Sequence, residues 1–289
     1  MELRKATRQK AKIKLGLSAV SGGGKTYSAI LIAKGLTGDL SKVAIIDTEN
    51  NSADLYAHLG DYNVLPLQAP YTPERYIQAI TACEAAGMEC IIIDSITHEW
   101  NGKGGILDIH GSMTGNSFTN WAQVTPRHQK FIDKILQCSC HVITTVRRKQ
   151  DYDMVKDGNK TVVNKAGLKE ETREGFEYEL TANLELDIKH NANALKDRTG
   201  LFMGNPPFTP SEETGVMIRE WCDTGVDMAA LNKEELENAL ENLKNCTSVE
   251  DLTFLKQGLS TYVINNEVFK AAGFIRFNEL KPKPETQNN

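Results

Sequence analysis

The stretch Ala19-Val20-Ser21-Gly22-Gly23-Gly24-Lys25-Thr26 constrains this chain more than any other. It follows the apolar run Ile13–Ser18, which reads as a short buried strand, and it opens Tyr27–Leu36, which reads as a helix. In that order, strand, glycine-rich turn, Lys-Thr and helix form a concave anion site. Successive backbone N–H groups and a helix N-terminus converge there, and the glycines let the chain close on a phosphate. Ser21, Gly22, Gly23, Gly24, Lys25, Thr26 and Tyr27 are therefore the expected nucleotide-binding residues. In such a loop the Lys25 ammonium reaches the β- and γ-phosphates and the Thr26 hydroxyl can ligate Mg²⁺. Ala19 stands where the usual pattern begins with glycine, and its methyl group fits there if the local φ is negative.

The segments that follow alternate. Lys42–Glu49 is a continuous apolar strand ending in acids, Tyr71–Ala86 reads as a helix with Pro73 in its first turn, and Cys90–Ser95 is a second apolar strand ending in an acid. Asn101–Asn120 is glycine-rich and reads as a loop, Trp121–Gln137 as a helix, and His141–Val146 as a third buried strand running into Arg147-Arg148-Lys149. Asp157-Gly158-Asn159 signals a hairpin between Tyr152–Val155 and Lys160–Val163, and Leu180–Ile188 and Leu201–Met203 read as further strands. Unbroken apolar strands are covered on both faces, so the expected fold is α/β with a mostly parallel sheet.

At 289 residues there is room for one such domain and a small appendage. The expected division is a basic arm over 1–12, the α/β domain over 13–225, a helical module over 226–280 and a disordered tail over 281–289. In the module, Leu236, Leu240 and Leu243 recur at helical spacing, Thr247–Glu250 reads as a capping box, and Glu267–Leu280 reads as a helix interrupted near Gly273. Arg4, Lys5, Arg8, Lys10 and Lys12 make the arm either a solvated segment or a nucleic-acid contact. A net charge of −5 excludes a uniformly basic nucleic-acid binder but leaves local basic loops open. No apolar run approaches the roughly 20 residues of a membrane span. The start Met1-Glu2-Leu3-Arg4-Lys5 lacks the apolar stretch of a signal peptide, so the cytoplasm is expected, without membrane partners. The six cysteines show no zinc spacing and read as reduced, mostly buried thiols.

Hydrolysis needs an acid beside Mg²⁺ and a group that activates water, and in parallel sheets ligands sit beyond the carboxyl ends of the strands. Asp94 fits the first role and, with Thr26, makes the expected metal site. Glu49 fits the second, with Asp47 and Asp54 as alternatives.

Val43–Asn50 resembles the RecA-family segment whose strand-end Glu activates water, and Ile91–Ser95 resembles that family's Walker B strand with its Asp-Ser ending. Lys165-Ala166-Gly167-Leu168 and Arg173–Leu180 resemble a stretch of phage and prophage ATPases of the core-only RecA-like group, associated with single-strand annealing and recombination. Lys196-Asp197-Arg198-Thr199-Gly200 resembles the Lys-x-Arg-x-Gly element of DnaB-like helicases, which reaches a neighbouring subunit's nucleotide. The resemblance implies a RecA-like P-loop ATPase core that uses ATP and Mg²⁺. Lys25 and Glu49 would be its catalytic residues, with Lys196 and Arg198 acting in trans within a homo-oligomer. It also implies single-stranded DNA as a partner, with recombination or replication proteins of a phage or its bacterial host as further ones. The two loops after Walker B would carry the DNA contacts, here Lys103, Arg147, Arg148, Lys149, Lys156, Lys160 and Lys165. The family's γ-phosphate-sensing Gln is replaced by Arg147 or Arg148. Three other functions stay open: an ATP-gated DNA-binding module with slow turnover, a DnaB-like motor or loader, and a protein-remodelling NTPase that touches no DNA.

Overall fold

A computed structural model describes residues 5–157 and 160–281, with the backbone alone between 152 and 166. The chain divides into two compact units, Ala11–Asp223 and the residues before Ala11 together with those from Thr224 onward.

The larger unit begins with β1 (Lys14–Ala19) and α1 (Lys25–Thr37), then β2 (Val43–Asp47), a 3₁₀ segment (Ser52–Leu59) and β3 (Asn63–Pro66). Next come α2 (Pro73–Ala85), β4 (Cys90–Asp94), α3 (Thr97–Asn101), α4 (Ile106–Ser112) and α5 (Ser117–Gln137). β5 (His141–Asp157), β6 (Lys160–Glu170), α6 (Phe176–Glu179), β7 (Ala182–Leu186), β8 (Ala192–Asp197) and α7 (Glu212–Asp223) complete it. The sheet order is β3-β2-β4-β5-β1-β7-β8, parallel except for β8, with β6 antiparallel to the outer part of β5. The expected α/β fold with a mainly parallel sheet is thus the one observed.

Both faces of the sheet are covered because alternate residues of each strand feed opposite cores. Leu15, Leu17, Ile45, Ile92 and Ile143 join Ile30, Ile32 and Leu36 of α1 and Ile218 of α7. Ile46, Ile91, Ile93, Val142 and Val146 join Tyr76 and Ile80 of α2 and Phe131 and Ile135 of α5. Each such side chain removed fully from water contributes about 1.5–3 kcal/mol, and this double demand is why the strands are apolar without interruption. The helices α1 and α7 approach until their backbones touch. A Cβ on Gly35 would lie 1.8 Å from the Glu212 carbonyl oxygen, and one on Gly215 2.1 Å from that of Ile32.

Several expectations are corrected. Asn101–Asn120 is not a loop: it holds α4 and the first turn of α5, which Asn116 caps by accepting the Phe118 N–H at 2.8 Å. Glycines 102, 104 and 105 turn the chain from α3 into α4, whereas Gly111 lies inside α4. The strand at His141 continues far past Val146 as one arm of a hairpin, whose Gly158-Asn159 lies outside the described residues. Leu201–Met203 is not a strand. Asp197 gathers that stretch into a tight loop, accepting the N–H groups of Thr199, Gly200, Phe202 and Met203 at 2.7–3.2 Å, while β8 forms just before it.

The smaller unit is helical, with α8 (Met228–Asn245), α9 (Val249–Gln257), α10 (Thr261–Asn265) and α11 (Glu267–Leu280). Ala239, Leu243, Cys246, Leu252, Val263 and Phe269 form its core. The capping box is Ser248 with Asp251, one residue later than expected, because the Asp251 carboxylate accepts the Ser248 N–H at 2.9 Å and Ser248 Oγ returns the favour to the Asp251 N–H at 3.0 Å. α11 runs through Gly273 without a break. Residues 8–10 are not a free arm. Lys10 N–H and Arg8 C=O bond the Val226 backbone at 3.0 and 2.9 Å, and Arg8 Nε donates to Thr224 Oγ1 at 3.0 Å. Arg4 and the tail from 282 onward lie outside the described residues. All six cysteines are buried, and among the described residues no helix is long and apolar enough to cross a membrane.

Candidate active site

The carboxyl ends of β1, β2, β4 and β5 open into a cleft of about 590 Å³ lined by the glycine-rich turn, Glu49, Asp94 and Arg147. β5 separates β1 from β4, and β4 separates β5 from β2, so the acids face the turn from one side. Register fixes their level: Ala19 lies opposite Arg147, and Asp47 opposite Asp94.

In the turn, Gly22 and Gly24 have φ of 79° and 81°, which side-chain-bearing residues rarely adopt. Ala19 is buried, and a Cβ on Gly23 would meet the Ala19 methyl at 2.7 Å. The departure at Ala19 is therefore accommodated by the absent side chain at Gly23. Gly24 precedes α1, whose first N–H groups have no side-chain cap and face the cleft. Lys25 Nζ donates to the Ala19 and Val20 carbonyls, each at 3.2 Å. Burial pulls its pKa down, opposed by the Asp94 and Glu49 carboxylates.

Thr26 Oγ1 donates to Asp94 Oδ2 at 2.5 Å and Thr145 Oγ1 to Asp94 Oδ1 at 2.5 Å. Burial raises the Asp94 pKa, against these two hydrogen bonds. Glu49 Oε1 accepts from Ser95 Oγ at 3.0 Å and from Arg147 Nε at 3.1 Å, while Arg147 Nη2 bonds Oε2, a bidentate pair. Asp47 is occupied elsewhere: Oδ1 accepts the Glu49 N–H at 2.6 Å and Oδ2 the Ala53 N–H at 2.9 Å. It shapes the turn that presents Glu49, and Asp54 is exposed outside the cleft lining.

Of the other expected site residues whose side chains are described, all but Arg147 lie apart from this cleft. Lys196 Nζ and Arg198 both bond the Tyr178 carbonyl, Arg198 at 3.3 Å, at the outer strand β8. Arg147, expected on a DNA-facing surface, lies in the cleft. Arg148 folds against Glu185 and donates to the Leu168 carbonyl at 2.6 Å, leaving its side chain 11% exposed. Lys149 is 67% exposed with Nζ 3.2 Å from Glu171, and Lys103 is exposed. The Lys156, Lys160 and Lys165 side chains lie outside the described residues.

Sequence reasoning missed Ser95, Thr145, Tyr56 and His190. Ser95 directly follows the strand-end acid, and Thr145 interrupts an otherwise apolar run, so both left a trace. Tyr56 and His190 left none. His190 adopts φ 65° and its Nδ1 lies 2.8 Å from where a Gly24 Cβ would stand. Tyr56 lines the cleft with its ring edge on Tyr27, centroids 5.9 Å apart.

A phosphate-cradling turn between strand and helix, a Lys and a Thr at its end, and carboxylates at neighbouring strand ends of a parallel sheet define a P-loop nucleotide-binding protein. The AAA-domain family matches residues 11–209, and the chain belongs to it. It is a P-loop ATPase by family. No curated protein is significantly similar to the chain.

Proposed function

We propose that this protein is a RecA-like ATPase of phage or prophage type that couples Mg²⁺-dependent ATP hydrolysis to single-stranded DNA during recombination or annealing, as a homo-oligomer in the cytoplasm of a bacterial host. The observation that carries this is the Glu49–Arg147 pair at the root of β5. The same strand leaves the sheet as the long hairpin with β6, so Arg147, the partner of the water-activating acid, shares one element with the hairpin.

The P-loop N–H groups and Lys25 hold the phosphates. Thr26 and Asp94 offer a hydroxyl and a carboxylate, hard oxygen donors suited to Mg²⁺, which would neutralise phosphate charge there. Arg147 reads the γ-phosphate by exchanging Glu49 for a phosphate oxygen, since it reaches the cleft and Arg148 is tied to Glu185. Glu49, once released, accepts a proton from the attacking water. Lys196 and Arg198 stand at the sheet's end strand, where a neighbouring subunit's nucleotide is reachable in the RecA-like reading.

A hollow of about 450 Å³ supports the DNA reading. It is lined by Trp100, Trp121 and Arg173 and by Lys149 and Lys169, which pair with Glu171 and Glu174 of the same lining. Trp121 stacks between His110 and Trp100, at centroid distances of 4.2 and 6.0 Å. Stacked rings suit single-stranded bases, whose phosphates would draw these lysines from their carboxylates. The variant with slow, ATP-gated turnover is favoured by one fact: both Glu49 oxygens are already bonded. DNA binding tests the function. Labelled single strands at low salt, with and without ATP and Mg²⁺, should bind in a nucleotide-dependent way and raise turnover. No binding overturns the DNA assignment, and binding without any change in turnover favours the gated module.

A further inference from the structure

The turn between β7 and β8 is built around a carboxylate. Asp187 Oδ1 accepts the N–H groups of Lys189 and Asn191, each at 2.8 Å, and the Asp187 carbonyl accepts the His190 N–H at 3.0 Å. Asn191 Oδ1 in turn accepts from Thr209 Oγ1 at 3.2 Å, and Ala192 and Phe208 exchange backbone hydrogen bonds at 2.6 and 3.1 Å. These bonds fix His190 in the left-handed region, with its imidazole against Gly24 and its exposed side chain in the cleft lining beside Thr209 and Pro210. Glycine or asparagine would meet the backbone demand of such a turn, and only histidine adds a ring with N–H donors.

Topology says which end of the nucleotide this ring meets. Arg147, Asp94 and Glu49 belong to β5, β4 and the end of β2, all on one side of β1. His190 belongs to the β7–β8 turn, on the opposite side of β1. A triphosphate lying across the turn with its γ-phosphate toward the acids carries its α-phosphate and ribose toward His190. We propose that His190 is a nucleotide-binding residue that grips the α-phosphate–ribose end of ATP, holding the nucleoside within a single subunit. This rests on the cleft being the ATP site, and on the acids marking its γ-phosphate end.

His190→Gly tests it, because glycine suits φ 65° and removes only the ring. Affinities of wild type and variant for ATP and for inorganic pyrophosphate, which lacks the α-phosphate and ribose, are measured by competition against a fluorescent ATP analogue, alongside Tm and steady-state hydrolysis. Expected are an ATP Kd weakened about tenfold, as one hydrogen bond to a charged group would give, unchanged pyrophosphate affinity, unchanged Tm and a kcat/KM for ATP lowered by a similar factor. His190→Asn should recover part of the affinity. Equal loss for ATP and pyrophosphate, or no loss for either, overturns the assignment. A wild type that binds neither ligand overturns the cleft assignment itself, a distinguishable result.

Discussion

Glu49→Gln is the substitution that isolates the water-activating step. Glutamine keeps the size of the side chain and one acceptor oxygen, so Ser95 Oγ retains a partner and the loop shaped by Asp47 is untouched. Lys25 Nζ lies on the Ala19 and Val20 carbonyls and Thr26 on Asp94, so neither bonds Glu49, whereas Arg147 does. Losing a positioned general base lowers turnover by about 10²- to 10⁴-fold, which is roughly 2.7–5.5 kcal/mol of barrier. ATP affinity should hold or tighten, since Arg147, which the γ-phosphate must draw from Glu49, then starts without an ionised partner. Asp47 cannot substitute, because both of its oxygens already accept backbone N–H groups. The assay pairs steady-state phosphate release with equilibrium binding of a fluorescent ATP analogue. A kcat within about threefold of wild type, with binding intact, would refute Glu49 as the base.

Two further substitutions separate the forces at the site and in the core. Burial raises the Asp94 pKa in the folded chain, so its contribution to stability is fully present below the unfolded carboxylate pKa and lost as pH rises through the folded value. At neutral pH, above the unfolded carboxylate pKa, this raised pKa opposes folding, and Asp94→Asn, with no charge to desolvate, should raise Tm without Mg²⁺ while removing any stabilisation by Mg²⁺ with nucleotide. Differential scanning calorimetry checks both, and a lowered metal-free Tm would contradict the sign. Gly35→Ala should destabilise by about 1–3 kcal/mol in urea unfolding, because the new methyl meets the Glu212 carbonyl. Gly111→Ala, in open space on α4, should instead stabilise by up to about 1 kcal/mol, and equal effects from the two would dismiss the helix-contact explanation.

What the sequence disclosed follows from how locally each feature is determined. The phosphate turn, Asp94 and Glu49 were readable because their neighbours in sequence define them: an apolar strand before, a helix or turn after. β8 was not, since Ala-Asn-Ala-Leu-Lys-Asp is short and mixed in polarity and owes its pairing to β7 and to an Ala192–Phe208 bridge. α4 was hidden by the glycines around it: Gly105 packs on the backbone of the turn just before it, while Gly102 and Gly104 also let that turn lie against Tyr71 and Pro70. Arg147 was visible as a cation at a strand end, but its direction depends on Glu49, nearly a hundred residues earlier. His190 reaches Gly24 only through the closing of the sheet, and no local pattern announces it.

The position of β1 in the sheet order has a consequence for the birth of the protein. Leu15 is flanked by Ile143 on one side and Ala182 on the other, and both Leu15 and Leu17 are fully buried in the finished fold. During synthesis the phosphate turn leaves the ribosome early, while its second wall arrives more than 160 residues later. At ordinary translation rates that wait is roughly 10–30 s. For that time the apolar strand lacks its β7 neighbour, and until β5 emerges it is unpaired on both edges and open to wrong partners. ATP can steady the nascent chain only once β7 has emerged, so a fragment ending before residue 182 should carry the whole glycine-rich signature and yet hold no nucleotide.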